Sequence, residues 1–314
     1  MSRKAIFERL YTLPPAFWGL IAVITIAAIY QPHFLSLPFL MILLRQAAPL
    51  GIVALGQTFV VVNRSLDLSV GANIALINLI VSHGMWKGMD PIIVGLIALT
   101  AGTMVGLVNG FFVTVVRASS VVITLGTASI ITGLGLFYSN GAPGNAMPEI
   151  FKWLGRGRIG TVPVSGIIWI ALGIIAFIVM RKLTYGRHVF ASGDNPSASL
   201  FSGVPVNLTL LVSHTLCGFF AAVGGLLLSG LVGVGSLNLG ADYVLSSIAA
   251  VILGGAIFGG GAGGIMGSIL GTALLVMTLN LLTVFGVGAP GKLIVQGLVI
   301  AAAAIAYQRG NRGV

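Results

Sequence analysis

Ten mainly apolar stretches alternate with short polar segments along nearly the whole chain. They lie near residues 16–30, 42–62, 69–85, 92–116, 121–139, 164–180, 208–232, 244–258, 264–285 and 292–307. A helix of about 20 residues crosses the hydrocarbon core of a bilayer. The pattern therefore predicts an all-α polytopic membrane protein with about ten transmembrane helices, in which residues 1–314 form a single transmembrane domain.

The longest polar interruption is residues 184–206, which read TYGRHVFASGDNPSASLFSGVPV. Gly193, Asp194, Asn195 and Pro196 form a turn cluster, and proline is well tolerated in a first helical turn. We therefore expect a short helix over about 197–202, capped by Asn195 or a later serine and ended by Gly203 and Pro205. A short helix at the membrane surface suits docking to a soluble partner.

Composition supports a membrane protein, since 57% of the residues are hydrophobic and 7% are charged, with a mean hydropathy of +1.09. The net charge of +10 comes from basic residues that stand singly or in small groups, which indicates topology signals and no nucleic-acid partner. Cys217 is alone, which excludes an intrachain disulfide and a cysteine-based metal cluster. No Ser/His/Asp arrangement points to an enzyme.

The distribution of basic residues predicts that both termini and residues 184–206 are cytoplasmic, and that residues 140–163 face the opposite side. The residues assigned to the inside are Arg3, Lys4, Arg9, Arg64, Arg117, Arg181, Lys182, Arg187, Arg309 and Arg312. Those assigned to the outside are Arg45, Lys87, Lys152, Arg156, Arg158 and Lys292.

Several polar residues lie inside or beside the apolar stretches and are candidates for a solute pathway or gate. They are Asn63, Asp67, Ser69, Asn109, Thr124, Ser246 and Gln296. Ionisable residues this close to a bilayer are costly to bury, which favours a function for Asp67. An interfacial loop with an Arg64/Asp67 pair explains the same residues, and Asn109 and Thr124 also suit hydrogen bonds between helices.

Two sets of glycines at four-residue spacing predict close helix packing. Gly102, Gly106 and Gly110 form one set, and Gly263, Gly267 and Gly271 form the other. Residues four apart share a helical face, so each set predicts a groove that another helix enters. One such helix in each half of the chain suggests two related halves.

The 184–206 segment resembles the cytoplasmic coupling loop of the ribose-type sugar ABC importer permeases. That family pattern runs T-x-F/Y-G-R-x-V/I-Y/F-A-x-G-x-N-x-x-A-A-x-x-S-G-I/V, and it is matched here at Gly186, Arg187, Ala191, Gly193, Asn195, Ala198, Ser202 and Gly203. The resemblance implies that Gly186, Arg187, Gly193, Asp194, Asn195, Ala198, Ser202 and Gly203 couple this chain to an ATP-hydrolysing subunit.

Three other stretches, within about residues 43–296, carry the same resemblance. Residues 56–76 match at Gln57, Asp67, Leu68, Ser69, Val70 and Gly71, but Asn63-Arg64-Ser65 stands where the family has T-G-G. Residues 106–133 match at Asn109, Gly110, Thr124, Leu125, Gly126 and Thr127. Residues 240–271 match mainly at glycines, and Val244 and Ser246 replace an acidic pair. These departures suit either one half of a heterodimer or a divergent substrate preference.

The resemblance implies a type II importer-like permease in the bacterial inner membrane, surrounded by lipid, with a second permease copy or a paralogue beside it. It further implies a periplasmic sugar-binding protein. Lys152, Arg156 and Arg158 are candidates to contact that protein, and a solvated loop is the alternative interpretation of the same residues. ATP and Mg²⁺ would be bound by the cytosolic ATPase subunit, and no cofactor is expected in this chain. The sugar stays open, and a secondary transporter of a small polar solute is the alternative.

Overall fold

The computed structural model describes residues 14–83, 88–142 and 144–310, and helices account for most of them. The thirteen helices in the described ranges are α1 Pro15–Tyr30, α2 Leu37–Val62, α3 Val70–Ser82, α4 Pro91–Thr114, α5 Ser120–Ser139, α6 Glu149–Arg156, α7 Val164–Lys182, α8 Thr184–Asp194, α9 Pro196–Phe201, α10 Val206–Val232, α11 Tyr243–Leu253, α12 Ile265–Val284 and α13 Ala289–Gly310. A 3-10 turn, Pro32–Leu35, precedes α2, and the strands Arg158–Ile159 and Val162–Pro163 form a small antiparallel hairpin.

Each of the ten predicted apolar stretches overlaps a helix, and the all-α class is confirmed. Six helices in the described residues, α2, α4, α5, α7, α10 and α12, are long and apolar enough to cross a membrane. Helices α1, α3 and α11 are apolar but shorter, with 16, 13 and 11 residues. At 1.5 Å per residue, α3 and α11 fall short of a bilayer core of about 30 Å. Ten crossings therefore stay a prediction.

Helix ends follow local chemistry. Asp90 accepts a hydrogen bond from the backbone N–H of Ile92 at 2.7 Å, and Pro91 then occupies the first turn of α4. Helix α5 is capped at its C-terminal end by Asn140, which adopts the left-handed conformation at a φ of 51°. Arg156 donates from Nε to the carbonyl of Leu231 at 2.7 Å, near the end of α10, where a cation is favoured.

Helix α10 lies at the centre of the molecule and packs against α2, α3, α4 and α6. Its buried residues are largely Gly, Ala, Ser and Leu, so neighbouring backbones approach it closely. In contrast, α5 exposes most of its length, with buried side chains only at Thr124, Ile131 and Ser139. The core is therefore built around α10 and α2, which carry the most buried side chains.

Two ends of the helix bundle are distinguished by the connections that meet there. At one end lie the 184–206 segment, residues 63–69 between α2 and α3 (the polar turn), and residues 254–264 between α11 and α12 (the glycine-rich turn). Gly261 N–H donates to the carbonyl of Val62 at 2.8 Å, which joins the glycine-rich turn to the end of α2 beside the polar turn. At the other end, Gly235 N–H donates to the carbonyl of Asn145 at 3.1 Å.

Four local predictions need correction. Residues 184–194 form a helix, so the predicted turn is confined to Asn195. The predicted 140–163 loop contains α6 and the hairpin. The apolar stretch 244–258 is helical only to Leu253, because Gly255 adopts a φ of 94°. Gly263 has a φ of 117° and precedes α12, so it is not on a helix face.

The topology prediction rests partly on Arg3, Lys4, Arg9, Lys87 and Arg312, which lie outside the described residues. The orientation of the termini stays a prediction.

Candidate functional site

The 184–206 segment consists of α8 and α9 joined at Asn195. The Asn195 side chain accepts a hydrogen bond from the Ala198 N–H at 3.0 Å, as predicted for a helix cap. Six of the eight predicted coupling residues are exposed: Arg187, Asp194, Asn195, Ala198, Ser202 and Gly203. They form a polar surface at this end of the bundle.

The other two predicted coupling residues, Gly186 and Gly193, are buried inside the chain. A Cβ on Gly186 would lie 2.1 Å from the Met180 carbonyl oxygen, and one on Gly193 would lie 1.8 Å from the Val62 carbonyl oxygen. Both contacts are with backbone, which cannot move aside as a flexible side chain can. In this structure these glycines seat α8 on α7 and α2 and do not form the exposed surface.

Two apolar residues of α9 were missed by the sequence reasoning. Phe201 is 91% exposed and Leu200 is 64% exposed. They stand beside the polar surface just described, at the end of the six-residue helix. Two large apolar side chains at the tip of an otherwise polar segment are typical of residues that enter a partner's pocket.

The predicted pathway residues Asp67, Ser69, Asn109 and Thr124 come together at the polar turn. Asp67 Oδ1 accepts hydrogen bonds from the Ser69 N–H at 2.9 Å and from the Ser69 hydroxyl at 2.6 Å. Asn109 Nδ2 donates to Ser69 Oγ at 2.8 Å, and the Thr124 hydroxyl accepts from the Leu68 N–H at 3.1 Å. All four side chains are at most 1% exposed. We call these four residues the Asp67 cluster.

Residues of α2 and α10 extend this cluster. Gln57 Nε2 donates to the Asp67 carbonyl oxygen at 2.6 Å. His214 Nδ1 lies 3.7 Å from Asp67 Oδ2, and its Nε2 is 2.9 Å from Ser65 Oγ. His214 was not named as a candidate from the sequence. The sequence feature that could have identified His214 is its place as a single histidine in an apolar stretch, next to Ser213.

The alternative of an Arg64/Asp67 pair is wrong. The Arg64 side chain does not pair with Asp67; its Nε donates to the Gly259 carbonyl of the glycine-rich turn. Its φ of 59° is a left-handed conformation that glycine adopts without cost. The family pattern has glycine at this position, and here the hydrogen bond to Gly259 offsets the strain of a side chain.

Asn63 connects the polar turn to α8 through Ser213. Asn63 Nδ2 donates to Ser213 Oγ at 3.3 Å, and the Tyr185 hydroxyl is 2.9 Å from the same oxygen. Burial raises the pKa of the Tyr185 hydroxyl above its ordinary value, and the bond to Ser213 offsets only part of this shift. The hydroxyl therefore stays protonated and can donate.

Three buried polar atoms around the cluster make no hydrogen bond to the described residues: Gln57 Oε1, Asn109 Oδ1 and His214 Nδ1. Such atoms are costly in a packed interior unless a small rearrangement or a bound water satisfies them. The cluster is thus polar and incompletely satisfied, which suits a region that adopts more than one arrangement.

Ser246 and Gln296, the remaining predicted pathway residues, lie apart from the Asp67 cluster. Gln296 Nε2 of α13 donates to Ser246 Oγ of α11 at 2.7 Å, and both residues are at most 9% exposed. Whether any of the seven predicted residues contacts a solute stays a prediction.

The first glycine set forms the contact of α4 with α10. A Cβ on Gly106 would lie 2.3 Å from the His214 carbonyl oxygen, and one on Gly110 would lie 2.9 Å from that of Leu211. Gly102 lies against Ala222. Asn73 of α3 bridges the two helices, since its Nδ2 donates to the Gly102 carbonyl at 3.1 Å and to the Gly218 carbonyl at 3.3 Å.

In the second set, Gly267 and Gly271 pack α12 against α11. A Cβ on either would lie 1.9 Å from a backbone oxygen, that of Gly254 or Ala250. Only these two glycines of the predicted set form the groove, since Gly263 precedes the helix.

At the opposite end, two of the three basic residues expected to meet a binding protein have partners within the chain. Arg156 donates to the carbonyls of Leu231 and Val232, and Lys152 pairs with Glu149 at 2.7 Å. Among the described residues, no group of three or more His, Cys, Asp or Glu side chains is arranged to hold a metal ion.

Comparison with known proteins gives one family and several curated relatives. Residues 39–304 match the family described as branched-chain amino acid transport system / permease component. The chain is 33% identical over 286 residues to the ribose import permease protein RbsC of Bacillus subtilis strain 168, covering 90% of this chain and 89% of that protein.

Two relatives from Escherichia coli strain K12 are similar over the same share, 90% of this chain and 89% of each relative. They are the ribose import permease protein RbsC, 30% identical over 289 residues, and the galactose/methyl galactoside import permease protein MglC, 32% identical over 301 residues. No solved structure matches the chain significantly.

Proposed function

Because the chain belongs to the branched-chain amino acid transport system / permease component family, we propose that it is the membrane-spanning permease subunit of an ATP-driven monosaccharide importer. The resemblance to ribose-type permeases is confirmed by the relatives, which are ribose and galactose import permeases. The chain is a multi-pass protein of the inner membrane, and transport is its family's role.

The proposal includes the partners that such a permease needs. A cytosolic ATPase binds ATP and Mg²⁺, a periplasmic protein delivers the sugar, and a second permease completes the pathway. Ten crossings in two related halves, with both termini in the cytoplasm, belong to the same proposal. Ribose and galactose are the first sugars to test, since they are the substrates in the relatives' names.

The observation that best supports ATPase coupling is the exposed tip of α9. Phe201 and Leu200 are not covered by the rest of the chain, and they lie in the segment that resembles a coupling loop. Burying an exposed aromatic side chain in a partner's pocket commonly stabilises a complex by about 2 kcal/mol or more. Removing Phe201 should therefore weaken binding by about thirtyfold or more.

The test is a pull-down of the tagged chain from its own cells in mild detergent. We expect the intact chain to retain an ATPase, identified by mass spectrometry and by ATP hydrolysis in the eluate. Phe201→Ser should lose it while remaining monodisperse on size exclusion. Phe137→Ser is the matched control, since Phe137 is 84% exposed at the opposite end of the bundle and should leave retention unchanged. An intact chain that never retains an ATPase would contradict the proposal.

A further inference from the structure

Helix α8 is linked near both of its ends to the C-terminal end of α2, through Ser213 of α10 near its start and by direct contact near its end. Near its start, Tyr185 contacts Ser213, which Asn63 also contacts. Near its end, Gly193 packs directly on the Val62 carbonyl, whose oxygen accepts from the Gly261 N–H at 2.8 Å. Val62 and Asn63 are adjacent and lead into the polar turn. If α8 moved as a rigid helix, these contacts would therefore displace the polar turn.

The direction of the hydrogen bonds at Ser213 follows from its single proton. Ser213 donates to the Thr209 carbonyl at 2.9 Å, an ordinary bond within α10. Toward Tyr185 and Asn63 the Ser213 oxygen then acts as acceptor. The tyrosine hydroxyl and the asparagine amide both converge on one buried oxygen, so neither can shift without disturbing the geometry of the other.

The polar turn leads directly to the Asp67 cluster. Ser65 contacts His214, which faces Asp67, and Ser69 joins Asp67 to Asn109 of α4. Gln57 Oε1 and Asn109 Oδ1, which make no hydrogen bond to the described residues, lie among the same side chains. A displacement of the turn would change the geometry of these hydrogen bonds, because Ser65, Asp67 and Ser69 all belong to the turn.

We propose that Tyr185, Ser213 and Asn63 are positioning residues that transmit movement of the 184–206 segment to the polar turn and so rearrange the Asp67 cluster. This inference rests on the proposed function, in which an ATPase moves that segment. It adds which side chains carry the movement inward and where it arrives. Tyr185 is central because its hydroxyl is the only polar atom that α8 contributes to this link.

Hydrogen–deuterium exchange tests the link without knowledge of the sugar. The complex is purified on a tag attached to this chain, and exchange is compared with and without ATP plus vanadate, which holds the ATPase in its nucleotide-bound state. In the intact complex we expect trapping to change exchange in both 184–206 and 63–69. The change at 63–69 should be about fivefold, the factor that one buried hydrogen bond typically contributes.

Tyr185→Phe keeps the ring beside Phe59, whose centroid is 6.1 Å away, and removes only the hydroxyl. It should retain the ATPase and the response at 184–206 but lose part of the response at 63–69, because the contact of Gly193 with Val62 remains. Tyr30→Phe, the same change at an exposed position of α1, should behave as the intact chain. Ser213→Ala should reproduce the loss, and combining it with Tyr185→Phe should add nothing further, because both break one link.

An undiminished response of 63–69 in Tyr185→Phe would overturn the inference, and so would an intact complex in which only 184–206 responds. Additive effects of Tyr185→Phe and Ser213→Ala would also overturn it, since they would indicate two independent packing defects. Failure of the proposed function is distinct, because it appears earlier as the absence of any ATPase in the intact complex.

Discussion

Replacing Gly106 with alanine tests how closely α4 and α10 must pack to hold the Asp67 cluster. The added Cβ would lie 2.3 Å from the His214 carbonyl oxygen and 2.9 Å from Gly218 Cα, whereas ordinary contacts begin near 3.4 Å. Both neighbours are backbone atoms, so the two helices must separate by about 1 Å. His214 would move with α10, away from Ser65 and Asp67.

The expected cost follows from two contributions. Overpacking of this kind typically costs about 1–3 kcal/mol. Separation also strains the Asn73 side chain, which donates to the Gly102 carbonyl at 3.1 Å and to the Gly218 carbonyl at 3.3 Å. Loss of one such bond costs about 1 kcal/mol more. Against this, alanine is favoured over glycine in a helix by up to about 1 kcal/mol, which leaves a net loss of about 1–3 kcal/mol.

The assay is thermal unfolding in detergent, followed by tryptophan fluorescence and by the monodisperse fraction on size exclusion. Gly133→Ala is the matched control, because a Cβ at Gly133 meets nothing within 4 Å. We expect the Gly106→Ala midpoint to fall by roughly 2–8 °C, and the Gly133→Ala midpoint to stay or rise. A Gly106→Ala protein that melts at or above the intact chain would refute the packing argument.

Three further predictions use the same preparations. Arg64→Ala should be less stable than Arg64→Gly by about 1 kcal/mol in thermal unfolding, because both lose the bond to Gly259 but only glycine is unstrained at this φ. Asn195→Ala should raise amide exchange across α9 about fivefold by removing its cap, whereas Ser197→Ala should not. Arg156→Ala should lower the free energy of unfolding by about 1–2 kcal/mol, since two carbonyls near the end of α10 lose their donor. Lys152→Ala should lower it little, because its partner Glu149 is exposed.

Each of these has a clear contrary outcome. Equal melting of the two Arg64 variants would show that the left-handed backbone carries no cost there. Equal exchange in the Asn195 and Ser197 variants would show that α9 does not depend on its cap. Equal loss in the Arg156 and Lys152 variants would show that the contact with α10 is no stronger than an exposed ion pair.

The positions of the helices could be predicted because apolar stretches and their polar interruptions are a property of the chain itself. The ends were less predictable. Ala256 and Phe258 continue the apolar stretch past Leu253, but consecutive glycines allow left-handed backbone there, and the helix ends. The helical state of 184–194 was missed because two glycines and an Asp-Asn-Pro sequence suggest turns, whereas packing of Gly186 and Gly193 favours the helix.

The members of the Asp67 cluster could be named from the sequence, since each is a polar residue in an apolar setting. Their assembly could not be predicted, because Asp67, Asn109 and Thr124 come from separate segments of the chain. Phe201 was missed for a different reason. An apolar residue beside a leucine usually indicates a buried face, and only the structure shows that both side chains point away from the protein.

The most direct test of the transport proposal is uptake of radiolabelled ribose and galactose into proteoliposomes. The vesicles contain the complex purified on this chain, with ATP and Mg²⁺ enclosed and the copurified binding protein outside. The account predicts uptake of at least one of these sugars that requires ATP hydrolysis and is abolished when Phe201→Ser removes the ATPase. Accumulation by the chain alone, driven by a proton or sodium gradient without ATP, would contradict it and would support a secondary transporter.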